Sequence, residues 1–200
     1  MWGFSLKTWF FALFFLGIPL DSPAFDLNGT WILKKSEISY LVTHPLHHVY
    51  GKSLSAKGKG VCYKGNFQFL VAVPVKSFDS GDNNRDLHML EVTRAGTYPM
   101  VVVKVQVLPN NSEPTTLTEL LVNTMVDFAG QEATYQKVKL EVLDWTEDGV
   151  HLKGNLPITL KDFDIQPPSL LGIPIQNDVP VGLDMIWQRE NSHVSQVDKK

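Results

Sequence analysis

Residues 67–75 read Phe67-Gln-Phe-Leu-Val-Ala-Val-Pro-Val75, with a bulky apolar side chain at every odd position. Successive side chains of an extended chain point to opposite faces, so this stretch predicts a strand with one unbroken apolar face. The same two-residue period recurs to either side. Upstream, Ile38, Tyr40 and Val42 share a face; downstream, Val101, Val103, Val105 and Val107 repeat the pattern with Lys104 and Gln106 opposite. Leu120, Val122, Val126 and Phe128 follow, then Val138, Leu140 and Val142, then Leu152, Leu156, Ile158 and Leu160. Val181, Leu183, Met185 and Trp187 close the series. Lys57-Gly-Lys-Gly60, Lys64-Gly-Asn66, Pro109-Asn-Asn-Ser112 and Glu147-Asp-Gly149 supply turn chemistry between the runs. With one long second strand over residues 52–62, the count reaches about eight, the number at which a closed barrel can just enclose a ligand. The predicted fold is all-β and antiparallel.

Two segments depart from the period. Residues 82–92 open with capping side chains and place Leu87, Leu90 and Glu91 at helical spacing, which predicts one short helix. Residues 162–180 are rich in Pro and Gly and read as a loop with at most one helical turn. There is no internal repeat or linker, so residues 25–200 read as one domain.

The chain has 200 residues, 44% hydrophobic and 20% charged, with a formal net charge of −3. That is enough apolar material for a real core and too little net charge for disorder. The near-neutral balance carries no electrostatic footprint for nucleic acid. A single cysteine, Cys62, excludes an internal disulfide, and its place in a strand predicts burial. No nucleophile elbow, paired zinc histidines or glycine-rich phosphate loop is present, so the chain reads as non-catalytic and no cofactor is expected.

Residues 1–24 read as a signal peptide. Lys7 precedes the apolar run from Trp9 to Leu20, and Ser22-Pro-Ala24 offers small residues for cleavage before Phe25. The run is too short to span a hydrocarbon core of roughly 30 Å, although an uncleaved interfacial anchor is the alternative. The expected location is periplasmic or secreted. Asn28-Gly-Thr30 and Asn110-Asn-Ser112 match the glycosylation pattern, which matters only in a eukaryotic secretory route.

The most specific stretch is Pro74-Val-Lys-Ser-Phe-Asp-Ser-Gly-Asp-Asn-Asn-Arg-Asp-Leu-His-Met89, followed by Tyr98-Pro99 and the valine-rich strand. It resembles the YceI-like family of periplasmic, polyisoprenoid-binding proteins, in which a Ser-x-Asp-(Ser/Thr)-Gly turn leads into an Arg-Asp-x-His helix start and a Tyr-Pro strand. Ser36-Glu-Ile-Ser-Tyr40 with His44 and Gly51, Leu160-Lys-Asp-Phe163 and Asp184-Met-Ile186 extend the likeness over nearly all of residues 25–200. Two positions depart: Lys35-Ser36 stands for the family's His-Ser pair, and Phe163-Asp-Ile165 for its Phe-Gly-Ile. The resemblance implies a lipocalin-like barrel whose apolar tunnel holds a long isoprenoid or fatty amphiphile. Its partners would be that lipid and, at most, a second copy of the chain in a homodimer.

On this reading Phe67, Phe69, Val71, Val101, Val103 and Val105 line the tunnel, while periodicity alone fits a filled core equally well. Arg85, Asp86, His88 and His44 are the polar candidates for ligand binding. Arg85 and His88 could donate to a headgroup; alternatively Asp82 caps the helix, Asp86 pairs with Arg85 or a backbone amide, and His88 packs near the barrel end. His44, His47, His48 and His88 raise a rival reading, a metal site or a quinone-linked redox accessory or enzyme, though their spacing matches no dedicated metal motif.

Overall fold

The computed structural model describes residues 27–109, 117–146 and 148–190. The segment read as a leader and the Asn110-Asn-Ser112 pattern lie outside them. The strands are β1 (Gly29–His44), β2 (His47–Ser53), β3 (Lys57–Tyr63), β4 (Asn66–Pro74), β5 (Met100–Val107) and β6 (Glu119–Phe128). They continue with β7 (Gln131–Trp145), β8 (Gly149–Thr159), β9 (Ser169–Leu170), β10 (Ile173–Pro174) and β11 (Asp178–Arg189). A single α-helix among the described residues, α1 (Asn83–Val92), lies between β4 and β5. The main sheet runs β11-β8-β7-β6-β5-β4-β3-β1, antiparallel throughout, and closes because β1 also pairs with β11. The result is the eight-stranded barrel that the alternation predicts. Its interior holds the core, including Trp31, Val73, Val122, Leu140, Leu156 and Trp187.

Two expectations are corrected. Residues 52–62 do not form one strand. β1 is 16 residues long and changes partner: Gly29–Ile32 pair with β3, whereas Ile38–His44 pair with β2. The break falls after Ser53, whose buried hydroxyl accepts the Ser55 amide at 3.1 Å and lies 2.6 Å from the Ser77 hydroxyl. A side chain that captures a nearby amide diverts it from the ladder, which ends the strand. The 162–180 segment has its one helical turn, the 3₁₀ turn Leu160–Phe163 that runs into it, but the rest is not all loop: it forms the small β9–β10 hairpin and enters β11 at Asp178, two residues before Pro180.

α1 follows its capping signal. Asp82 accepts the amides of Asn84 (2.9 Å) and Arg85 (3.1 Å), satisfying donors that the first turn leaves open. These bonds hold the Asp82 carboxyl below its ordinary range. The helix lies at the barrel end formed by the β1–β2 turn, the β6–β7 turn and residues 160–177. At its C-terminus Arg94 donates to the Phe163 carbonyl at 2.8 Å, and Phe163 is fully buried edge-on to Phe128.

The opposite end, where the β3–β4 and β7–β8 turns lie, is aromatic. Phe69 meets Trp187 edge-on at 4.7 Å between centroids and stacks near Phe67 at 6.2 Å. Glycine makes this possible. A Cβ on Gly60 would stand 2.1 Å from the Phe69 ring, and one on Gly58 would stand 2.6 Å from Trp187.

Candidate functional site

The barrel is not filled. A cavity of about 680 Å³ runs along its axis, within the range of small-molecule sites. Its wall extends from Leu27, Gly65 and Trp145 at the aromatic end to Arg85, His88 and His47 at the α1 end. Every strand of the barrel except β3 contributes wall residues, and nearly all of them are apolar. β5 shows why space remains. Val101, Val103, Val105 and Val107 face inward but are only half-buried, because their short branched side chains stop short of the far wall and leave surface open to the cavity.

Six of the sequence-selected residues, Phe67, Phe69, Val71, Val101, Val103 and Val105, stand on this wall. The polar candidates fare differently. Arg85 and His88 reach the wall at its rim, both exposed. The Arg85 guanidinium donates to the Ser80 carbonyl at 2.8 Å and the Ser80 hydroxyl at 3.3 Å, so its first task is to hold the loop before α1. Asp86 is not a wall residue; its carboxylate accepts the Ser80 amide at 3.1 Å. Arg85 and Asp86 thus grip one residue from two sides. The Nδ1 of His88 lies 3.4 Å from Glu91, and its exposed ring stands at the cavity rim, near the barrel end. Below this loop Tyr40 faces the cavity beside Phe78; burial pushes its phenol above the ordinary value, and the nearby Asp86 carboxylate adds to the shift.

His44 is buried, and both of its ring nitrogens are committed. Nδ1 accepts the Leu46 amide at 3.2 Å, so the ring proton sits on Nε2 and is donated to the Ile173 carbonyl at 3.1 Å. The His47 ring packs beside it at 5.2 Å. Among the described residues no three His, Cys, Asp or Glu side chains are grouped so as to hold a metal ion. With no lone pair left on His44, the histidine-cluster reading loses its central ligand.

One wall residue escaped the periodicity. Val138, Leu140 and Val142 face inward, so simple alternation points Trp145 outward; a register shift between Val142 and Asp144 turns it in. Its indole nitrogen is buried and has no hydrogen-bond partner among the described residues.

No family model matches this sequence, and no curated protein does. Solved structures do match its fold. The polyisoprenoid-binding domain from Saccharophagus degradans implicated in plant cell wall breakdown superposes with a TM-score of 0.65 at 15% identity, over 80% of this chain and 98% of that one. BcnA of Burkholderia cenocepacia gives 0.63 at 16% identity, over 76% and 95%. The Campylobacter jejuni YceI protein gives 0.59 at 12% identity, over 74% and 89%. The chain shares their barrel.

Proposed function

We propose that this chain is an exported, non-catalytic lipid carrier of the YceI-like family, binding a long amphiphile of isoprenoid or quinone type inside the barrel. The observation that carries the reading is the apolar cavity of about 680 Å³ running between the two ends of a closed sheet. A bore of this kind offers a flexible tail little but removal from water. That suffices, since each buried methylene contributes about 0.8 kcal/mol. The half-buried valines of β5 support the reading, because a core built only for stability packs its interior to crystal-like density. The name of the Saccharophagus degradans domain, polyisoprenoid-binding, agrees with it, and the apolar run from Trp9 to Leu20 fits export to a periplasmic or extracellular space.

Native mass spectrometry of gently purified protein tests the proposal. The expected spectrum carries a stoichiometric adduct that solvent extraction identifies as a long-chain amphiphile. A protein that arrives lipid-free and takes up neither quinone nor polyprenol analogues overturns it.

A further inference from the structure

Apolar side chains stand in water at the tips of two turns. Leu46 in the β1–β2 turn is 64% exposed, and Leu171 in the β9–β10 turn is 82% exposed with Ile173 beside it at 41%. The two turns are held together. The His44 ring accepts the Leu46 amide and donates to the Ile173 carbonyl, and the Gln176 amide reaches the Thr43 carbonyl at 2.8 Å.

Leu171 carries a second cost. It forms the two-residue loop of its hairpin with Gly172, at φ of +55° and +77°. Positive φ at both positions marks the turn in which Asn-Gly is preferred and a side chain of leucine's bulk is disfavoured. The surrounding sequence is as unusual. Charged residues make up 20% of the chain, yet residues 38–51 and 165–177 contain no Asp, Glu, Lys or Arg.

The inner sides of these turns line the cavity through His44, His47, Pro168, Ser169 and Ile175. His47 and Ser169 are exposed as well, so the cavity opens beside the two tips. We infer that this end of the barrel is a docking face for a neutral lipid bilayer, with Leu46, Leu171 and Ile173 entering its outer layer and the mouth opening into it. The inference rests on the lipid-carrier reading, since a guest that water excludes reaches the cavity most directly from a lipid phase.

The form of the patch selects a lipid surface over a folded partner. Three side chains on protruding turns fall well short, by themselves, of the roughly 800 Å² that each partner of a specific protein interface buries. A bilayer takes up separate side chains without a matching shape. The missing charges agree, because a tip that enters the acyl boundary then brings no ion to desolvate. They also select a neutral headgroup. Arg85, the one guanidinium among the described wall residues, stands at this rim but is held by Ser80.

Flotation of the full purified protein with phosphatidylcholine vesicles tests the inference. The wild-type protein is expected to float with the vesicles, and raising the salt about tenfold changes its partition less than about twofold. Leu171→Asn suits the positive φ better, so it is expected to melt no lower and yet to partition about five- to tenfold less. A double variant, Leu46→Asp with Leu171→Asp, is expected to lose more than about thirtyfold. Tyr63→Asp, at a position 63% exposed at the opposite end, is expected to partition like the wild type. Uptake of a decyl-tailed benzoquinone delivered from dilute ethanol is measured on the same samples. Wild-type protein that takes up the quinone but floats no better than the double variant overturns the docking face and leaves lipid carriage standing. Partition that collapses with salt, or falls equally in Tyr63→Asp, overturns it too. A wild-type dimer that the double variant dissolves assigns the face to a second copy and does the same. Protein that takes up no quinone overturns the carrier reading and, with it, the inference.

Discussion

His44 and Ile173 are joined by a hydrogen bond of 3.1 Å across 129 residues of chain, and the imidazole that makes it is buried inside the turn it helps to shape. With the Leu46 amide on its other nitrogen, one ring fastens the β1–β2 turn to the segment around the β9–β10 hairpin. The Gln176 amide adds a second tie, to the Thr43 carbonyl at 2.8 Å.

His44→Ala cuts the first tie and leaves the second. The expected cost is about 1–3 kcal/mol in urea unfolding, from two backbone groups that lose their partner. Amide exchange of residues 173–176 rises while that of β4 and β5 stays as it was. A variant as stable as the wild type, with unchanged exchange, removes His44 from this role.

Val103→Trp tests the bore directly. Val103 pairs with Val71 and Val126 in mid-strand and faces the cavity. An indole there displaces at least three methylene-sized portions of a guest, so lipid retention measured by mass spectrometry is expected to fall more than about tenfold. The melting temperature is expected to hold or rise, since filling a void stabilises. Unaltered lipid loading would place the guest elsewhere.

Gly60→Ala introduces a Cβ that would lie 2.1 Å from the Phe69 ring, already wedged against Trp187. The ring must give way toward the cavity it lines and lose its edge-on contact with Trp187, so a cost of about 1–3 kcal/mol is expected by denaturant titration. Gly65→Ala is the control for its surroundings, because nothing lies within 4 Å of a Cβ there; its cost comes from a backbone φ of +77° alone.

Acid stability turns on Asp184. His151 Nε2 lies 2.6 Å from one carboxylate oxygen and the Lys153 amine 3.1 Å from the other, and these bonds, His151 foremost, hold the carboxyl below its ordinary value. A folded-state value below the unfolded one means stability that is present above the ordinary carboxylate range and lost as pH falls toward the folded-state value. Asp184→Asn is therefore expected to flatten the decline in unfolding free energy below about pH 4 while lowering stability modestly at pH 7. A parallel decline in both proteins assigns the acid sensitivity to other groups.

Most of the barrel was legible in the sequence, because a half-buried strand writes its two faces as alternation. Residues 67–74 and 101–107 are strands as read, with Val75 passing into a 3₁₀ turn, and the Asp82 cap announces α1. Legibility failed wherever a residue is added to the register. The Lys137 backbone, at φ +54°, sits where β7 shifts against β6, so Ala133 and Tyr135 pack inward on the opposite parity from Val138. The shift before Asp144 hides Trp145 in the same way. Neither leaves a composition signal: the first falls among polar residues, and the second adds Leu143, an apolar side chain left exposed beside the inward-facing Val142. Arg85 and Asp86 were visible as a motif, but their grip on Ser80 belongs to the fold of the loop and is not encoded in spacing.

The handover of β1 from β3 to β2 has a mechanical meaning. Along that edge the ladder stops at Ile32 and resumes at Ile38, while the other edge stays zipped to β11 on both sides of the gap. The wall thus has one interrupted stitch, between Ile32 and Ile38, and over that stretch β1 is held by its seam with β11, which itself slips register between Leu33 and Lys35.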